Sequence, residues 1–200
     1  MTYGQARDTL AGLGYRPIPI IPNDKRPAFE APAGFARHGV GVACGVGPFP
    51  LAAVDIDVTD DAFAGELLDY VLAECGETVY RIGKAPKVLL VYRATEAGRR
   101  KRISARYDCG RVEILGYGQQ FVAYGVHPDT QEPYTWPSLC GGLIDTPAAE
   151  LPVLSTEHAE NVIATFEARA AAHGFEPVKR ELDPPDAPAD VADDYDPDDP

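Results

Sequence analysis

A mixed α+β domain, rather than a doubly wound parallel sheet, is the fold class this chain predicts, and three observations carry it. Strand-like segments follow one another between residues 78 and 124 with no helix among them, where a doubly wound sheet would alternate strand and helix. Three segments carry apolar residues at helical spacing, at the N-terminus, after residue 60 and after residue 155. The 200 residues, 45% of them hydrophobic, suffice for one packed core or for two small α/β units sharing one.

The elements follow in order. Tyr3 to Leu13 reads as a helix with Ala6, Leu10 and Leu13 on one side and Gly14 as its stop. Tyr15 to Ile21 reads as a strand whose two prolines mark an edge. The loop PNDKRPAFEAP leads to a strand at Val40 to Gly45, then to another at Ala52 to Val58. Asp60 to Glu74 is an amphipathic helix, with Asp60 or Asp61 able to cap it. Strands follow at Thr78 to Arg81, Val88 to Arg93, Arg111 to Leu115 and Gln120 to Tyr124, interrupted by the basic insertion GRRKRISARYD. Ser155 to His173 is the last predicted element, a helix with a Ser-x-x-His start and Gly174 after it. Residues 1–176 thus read as the folded domain and 177–200 as an acidic, disordered tail or linker.

Charge and cysteines exclude little. The net charge of −13 is uneven: 177–200 holds nine acids and two bases, so the tail carries −7 and the first 176 residues −6. A nucleic-acid partner remains open. Cys44, Cys75, Cys109 and Cys140 form no C-x-x-C pair, which predicts buried small hydrophobes rather than zinc ligands. No stretch approaches the roughly 18 apolar residues of a membrane span. The start MTYGQARDTL lacks a secretory pattern, so no membrane contact and a cytoplasmic location are expected.

The chemistry begins at AAVDIDV. Asp55 and Asp57 alternate with Val54, Ile56 and Val58, so both carboxylates share one face of a strand. One could cap the next helix while the other pairs with an arginine. Two carboxylates on one face also repel, and a divalent cation removes the conflict. Glu113 in RVEILG is a third acid alternating with apolar residues on a strand; alone it suits a solvated face or an Arg partner, with the aspartates a metal platform. RIGKAPK places Arg81, Lys84 and Lys87 around Gly83 and Pro86, a turn suited to phosphate although it is no P-loop. His127 follows the strand expected to pair with the Glu113 strand, within reach of the same cleft, where it would donate to a phosphate oxygen.

In this order the pieces resemble the bifunctional primase-polymerase domain of phage and plasmid replication proteins, in the archaeo-eukaryotic primase superfamily. LGYRPIPIIPNDKRPA resembles its opening strand and K-x-P loop, with Lys25, Arg26 and Pro27. GVACGVGPFPLAAVDIDV resembles its glycine-containing strand and D-x-D motif. VEILGYGQQFVAYGVHPDTQEPYTW resembles its closing motif, with Gln131 where glycine is common. The likeness spans about Gly14 to Trp136. RIGKAPK departs from the S-x-H or G-G-x-H element of many members.

The resemblance implies an RRM-like sheet packed on a second small α/β unit, with the catalytic cleft between them. It implies a DNA primase and DNA-directed polymerase acting on dNTPs or NTPs over a single-stranded DNA template. Asp55, Asp57 and Glu113 would hold two Mg²⁺ or Mn²⁺ ions in the two-metal scheme. Arg81, Lys84, Lys87 and His127 would bind the triphosphate, and Arg99, Arg100, Lys101, Arg102 and Arg106 the template phosphates. A replicative helicase partner and a phage- or plasmid-encoded protein in a bacterial cytoplasm are further implications. The tail would be a linker or a DNA mimic that shields the basic face. The alternatives are a catalytically silent nucleotide- or DNA-binding module of a replication initiator, a D-x-D glycosyltransferase and a metal-dependent nuclease.

Overall fold

The structure is a computed structural model that describes residues 1–28, 38–95, 100–139 and 141–178. It is a mixed α+β fold with two largely antiparallel sheets. Helix α1 (Tyr3–Gly12) precedes strands β1 (Pro17–Ile20), β2 (Gly39–Ala43) and β3 (Leu51–Val58), then helix α2 (Asp61–Cys75). Strands β4 (Tyr80–Ile82), β5 (Val88–Ala94), β6 (Arg102–Ile103), β7 (Gly110–Leu115) and β8 (Gln120–Tyr124) follow, then β9 (Val153–Leu154) and α3 (Thr156–Ala172). The larger sheet has the order β4-β5-β3-β7-β6, with β9 beside the end of β5; the smaller is β1-β2-β8.

The larger sheet is built around β3, whose alternation sorts its side chains between two surroundings. Ala52, Val54, Ile56 and Val58 join Val88, Leu90, Tyr92, Val112 and Ile114 in a core with Phe63, Leu67 and Val71 of α2 and Val162 and Phe166 of α3. Phe166 is wholly buried, and truncating such a ring to alanine costs about 3–5 kcal/mol. On the other face Leu51 and Ala53, with Leu89, Val91 and Leu115, pack against α1 and against Val40, Val42, Phe121 and Ala123 of the smaller sheet. Asp55 and Asp57 continue this second face, where it turns from core into cleft.

Local chemistry fixes the helix starts. The Asp60 carboxylate accepts a hydrogen bond from the Phe63 N–H at 2.9 Å, and the Ser155 hydroxyl accepts from the His158 N–H at 2.9 Å. Each satisfies a donor the helix leaves open. Cys44, Cys75 and Cys109 are free and buried, as expected; Cys140 lies outside the described residues.

One sequence expectation changes. Strand β8 does not pair with the Glu113 strand β7; it pairs with β2, Val42 opposite Phe121 and Ala43 opposite Gln120. Both edges of β7 are already taken, by β3 and by β6, so the chain crosses to the smaller sheet through the Gly116–Gln119 turn. Near the expected boundary at 176, Pro177 bridges Tyr107, and the Val178 N–H donates to the Arg106 carbonyl at 2.9 Å. The tail from 179 onward lies outside the described residues, as does Arg99. Among the described residues no helix is long and apolar enough to cross a membrane.

Candidate active site

One row of side chains crosses the larger sheet. Asp55 of β3 lies opposite Glu113 of β7 on one side and Leu89 of β5 on the other, and Leu89 lies opposite Arg81 of β4. Directly opposed residues of antiparallel strands have Cβ atoms roughly 4.5–5.5 Å apart, so Asp55 and Glu113 are neighbours despite the 57 residues between them. Asp57 sits one row further along the same face, opposite Arg111.

The acids meet cations at close range. Lys87 Nζ is 2.5 Å from Asp57 Oδ1. Glu113, with a side chain only 9% exposed, has Lys101 Nζ 2.7 Å from Oε2 and Arg111 Nη2 2.6 Å from Oε1. The Arg111 contact is an ion pair without hydrogen-bond direction, and Oε1 is left buried without a hydrogen-bond partner. Among the described residues Asp55 has no ion pair of this kind. Burial is the main cause that pushes its carboxyl up to about 6; Arg81 opposes the shift, while Asp57 and Glu113 add to it. Like charges on one partly desolvated face have this effect.

Beside Asp55 and Asp57 opens a cleft of about 150 Å³, lined among others by Lys25, Arg81, Lys84, Lys87 and His127. These come from three chain segments. Lys25 stands on a turn organised by Asp24, whose Oδ1 accepts from the Lys25 and Arg26 N–H groups and whose Oδ2 accepts from the Arg26 guanidinium. The Gln120 amide donates to the Lys25 carbonyl at 2.7 Å, tying that turn to the smaller sheet. The RIGKAPK turn is tied to the loop after β8 by two backbone hydrogen bonds between Ile82 and Thr135, each 2.9 Å. Across this junction Arg81 stacks on the Tyr134 ring, 4.4 Å from its centroid, and Lys84 Nζ lies 3.1 Å from Asp129 Oδ2.

His127 is buried and faces the Tyr134 ring edge-on at 5.4 Å. Its Nδ1 accepts the Asp129 N–H at 3.2 Å, which leaves the proton of the neutral ring on Nε2. Desolvation lowers its pKa, and nearby Lys25, Arg81 and Lys84 lower it further. The ring is therefore a neutral donor at pH 7. Gly83 must lack a side chain: a Cβ there would strike the Tyr134 ring and approach His127 Cδ2 at 2.9 Å. Gln131 holds φ at 58°, a left-handed conformation that explains why a glycine suits that position.

The cleft brings together Asp55, Asp57, Arg81, Lys84, Lys87 and His127 of the residues singled out from the sequence. Glu113 adjoins it through Asp55 and does not line it. The basic run is divided: Arg100 and Arg106 are exposed, Lys101 holds Glu113, and Arg102 donates to Glu160 of α3 at 2.8 Å. Lys25 and Tyr134 were not among the expected site residues. For Lys25 the only signal was its place in the K-x-P loop; for Tyr134, strand-like spacing after His127. Among the described residues no three His, Cys, Asp or Glu side chains are grouped closely enough to hold a metal ion as they stand; both Glu113 oxygens face cations, Lys101 and Arg111. Compared with models of protein families and with curated proteins, the chain matches none.

Proposed function

We propose that the chain is a template-directed nucleotidyltransferase of the primase-polymerase type, joining nucleoside triphosphates on a single-stranded DNA template. One observation carries the reading: Asp55 and Glu113 are direct cross-strand partners, Asp57 shares their face, and the adjoining cleft is lined by four cations and a neutral imidazole. Carboxylates alone suit a cation and lysines alone an anion; the two side by side suit the phosphates of a metal-bound nucleotide. On this reading the larger sheet with α2 and α3 is the RRM-like unit, and the smaller sheet with α1 is the second.

Asp55, Asp57 and Glu113 would hold Mg²⁺ or Mn²⁺. Asp55 is disfavoured as an anion without a cation, whereas Glu113 is already paired with Lys101 and Arg111 and the three acids are not grouped to hold an ion as they stand. Bound there, such ions supply activation of the attacking hydroxyl and neutralisation of the leaving pyrophosphate. Lys25, Arg81, Lys84 and Lys87 neutralise the triphosphate, His127 donates to it from Nε2–H, and Gly83 leaves room for the Tyr134 and His127 rings. Arg81, stacked over the Tyr134 ring, brings its charge toward the row of Asp55. Arg100 and Arg106 meet template phosphates.

A non-catalytic nucleotide-binding module is the second reading, favoured by the double ion pairing of Glu113. Incorporation of labelled nucleotide on a primed single-stranded template with Mn²⁺ separates the two. The transferase reading expects extension by the wild type and none by Asp55→Ala; extension by that variant at the wild-type rate overturns the role given to the acids. Nucleotide binding with no incorporation by the wild type supports the module.

A further inference from the structure

Tyr134 stands behind the cleft without lining it. It is only 6% exposed and packs with Ile20 and Val122 of the smaller sheet. Its N–H donates to the Gly125 carbonyl at 3.1 Å, and the next residue, Thr135, is bound to Ile82 of β4. The ring is therefore held where the two sheets meet. Two residues that do line the cleft rest on it: the Arg81 guanidinium lies over its face and the His127 ring meets it edge-on. Gly83 closes a further approach, since a Cβ there would strike the same ring. Charge sets Arg81 apart from its neighbours. Lys84 is paired with Asp129 and Lys87 with Asp57, whereas among the described residues Arg81 is in no such pair and its Nε is buried without a hydrogen-bond partner. Burial lowers the Arg81 pKa, while Asp55 and Tyr134 support the charge.

We propose that Tyr134 is a positioning residue that holds Arg81 and His127 as one anion-binding pair, through which the cleft takes a polyphosphate without a divalent cation. The proposal rests on reading the cleft as the nucleotide site. A desolvated guanidinium with no carboxylate against it gains more from an arriving phosphate than a lysine whose charge is already met. An arginine gives up rotamer freedom when it is fixed, and stacking on the ring takes most of that loss before the anion arrives. The edge contact does the same for His127, whose Nε2–H stays a donor because Nδ1 accepts the Asp129 N–H. Both donors thus meet the anion already oriented. Because the ring packs on the smaller sheet and Arg81 belongs to the larger, the pair forms only where the two sheets are joined.

The test is binding of inorganic triphosphate to the full chain in EDTA, read by calorimetry and by NMR of the Arg81 guanidinium and the His127 ring nitrogens. For the wild type both side chains are expected to shift along one saturation curve. Tyr134→Leu is expected to weaken binding by about tenfold, the size of a partly desolvated cation–π contact, and to uncouple the two shifts. Tyr134→Phe keeps the ring and is expected to bind within about threefold of the wild type. Triphosphate that binds the wild type but leaves Arg81 or His127 unshifted overturns the pairing, whether or not any variant folds. A Tyr134→Leu protein that binds as the wild type does, or a Tyr134→Phe protein as weak as Tyr134→Leu, overturns the role of the ring. Binding by the wild type only after Mn²⁺ is added overturns the cation-free anchor and leaves the nucleotide reading standing. A wild type that binds neither inorganic triphosphate nor a nucleoside triphosphate, with or without Mn²⁺, overturns the nucleotide site and this inference with it.

Discussion

Asp55→Asn should stabilise the metal-free protein, although Asp55 sits at the centre of the site. Burial, with Asp57 and Glu113 on the same face, moves its carboxyl from the ordinary 3.8 to about 6, even with Arg81 opposing. The folded state therefore holds its proton more tightly than the unfolded chain does. Stability falls as pH rises through the window from 3.8 to about 6 and stays low above it. Each pKa unit corresponds to 1.36 kcal/mol, so ionised Asp55 costs the fold about 3 kcal/mol at neutral pH. Asparagine removes the charge with little change of shape. Urea unfolding at pH 7.5 in EDTA should show a gain of about 3 kcal/mol, which for a domain of this size raises Tm by about 6–12 °C. Because the wild type is partly protonated at pH 5, the gain there should fall to about half. Saturating Mn²⁺ should reverse the ranking, since only the wild type keeps the full set of carboxylates. An asparagine variant no more stable than the wild type at pH 7.5, or a gain that ignores pH, would refute the argument that burial, with two acids on the same face, disfavours an ionised Asp55.

Other consequences follow from single residues. Gly83→Ala places a methyl against Tyr134 and His127 and should weaken binding of a fluorescent nucleoside triphosphate by about tenfold or more, equivalent to at least about 1.4 kcal/mol; unchanged affinity would mean the cleft is not the nucleotide site. Gln131→Gly relieves a left-handed backbone worth about 1–2 kcal/mol against the added entropy of glycine, so thermal unfolding should move up by a few degrees, whereas Gln131→Ile should lower it. The His127 imidazole, held neutral in the fold, should titrate below 6.5 by NMR with its proton on Nε2. Its neutral-state preference is fully expressed above the unfolded value of 6.5 and lost as pH falls through the lower folded value; a midpoint above 6.5 contradicts the desolvated, cation-flanked position.

The elements were legible wherever period and caps agreed. Asp60 and Ser155 announce helices that the structure begins one residue later, and the alternation in AAVDIDV put both aspartates on one face. The proline-bearing β1 is an edge, as its composition required. The two-residue strands β6 and β9 were not legible, since so short a ladder leaves no periodicity to read. The β7–β8 pairing went wrong for a related reason: GYGQ between two strand-like runs looks like a hairpin turn, and nothing local records that β7 already has neighbours on both sides.

The sequence by itself determined which residue types were at hand and which face of its own strand each acid would occupy, because side-chain alternation is a property of the local backbone. Only the tertiary structure decided what stood across from them: Glu113 opposite Asp55, Lys101 and Arg111 on Glu113, and Lys25, Arg81 and His127 about one cleft. Those neighbours depend on register between strands far apart in the chain. Register is set by how two whole faces bury their apolar residues together, which no short stretch of sequence carries alone.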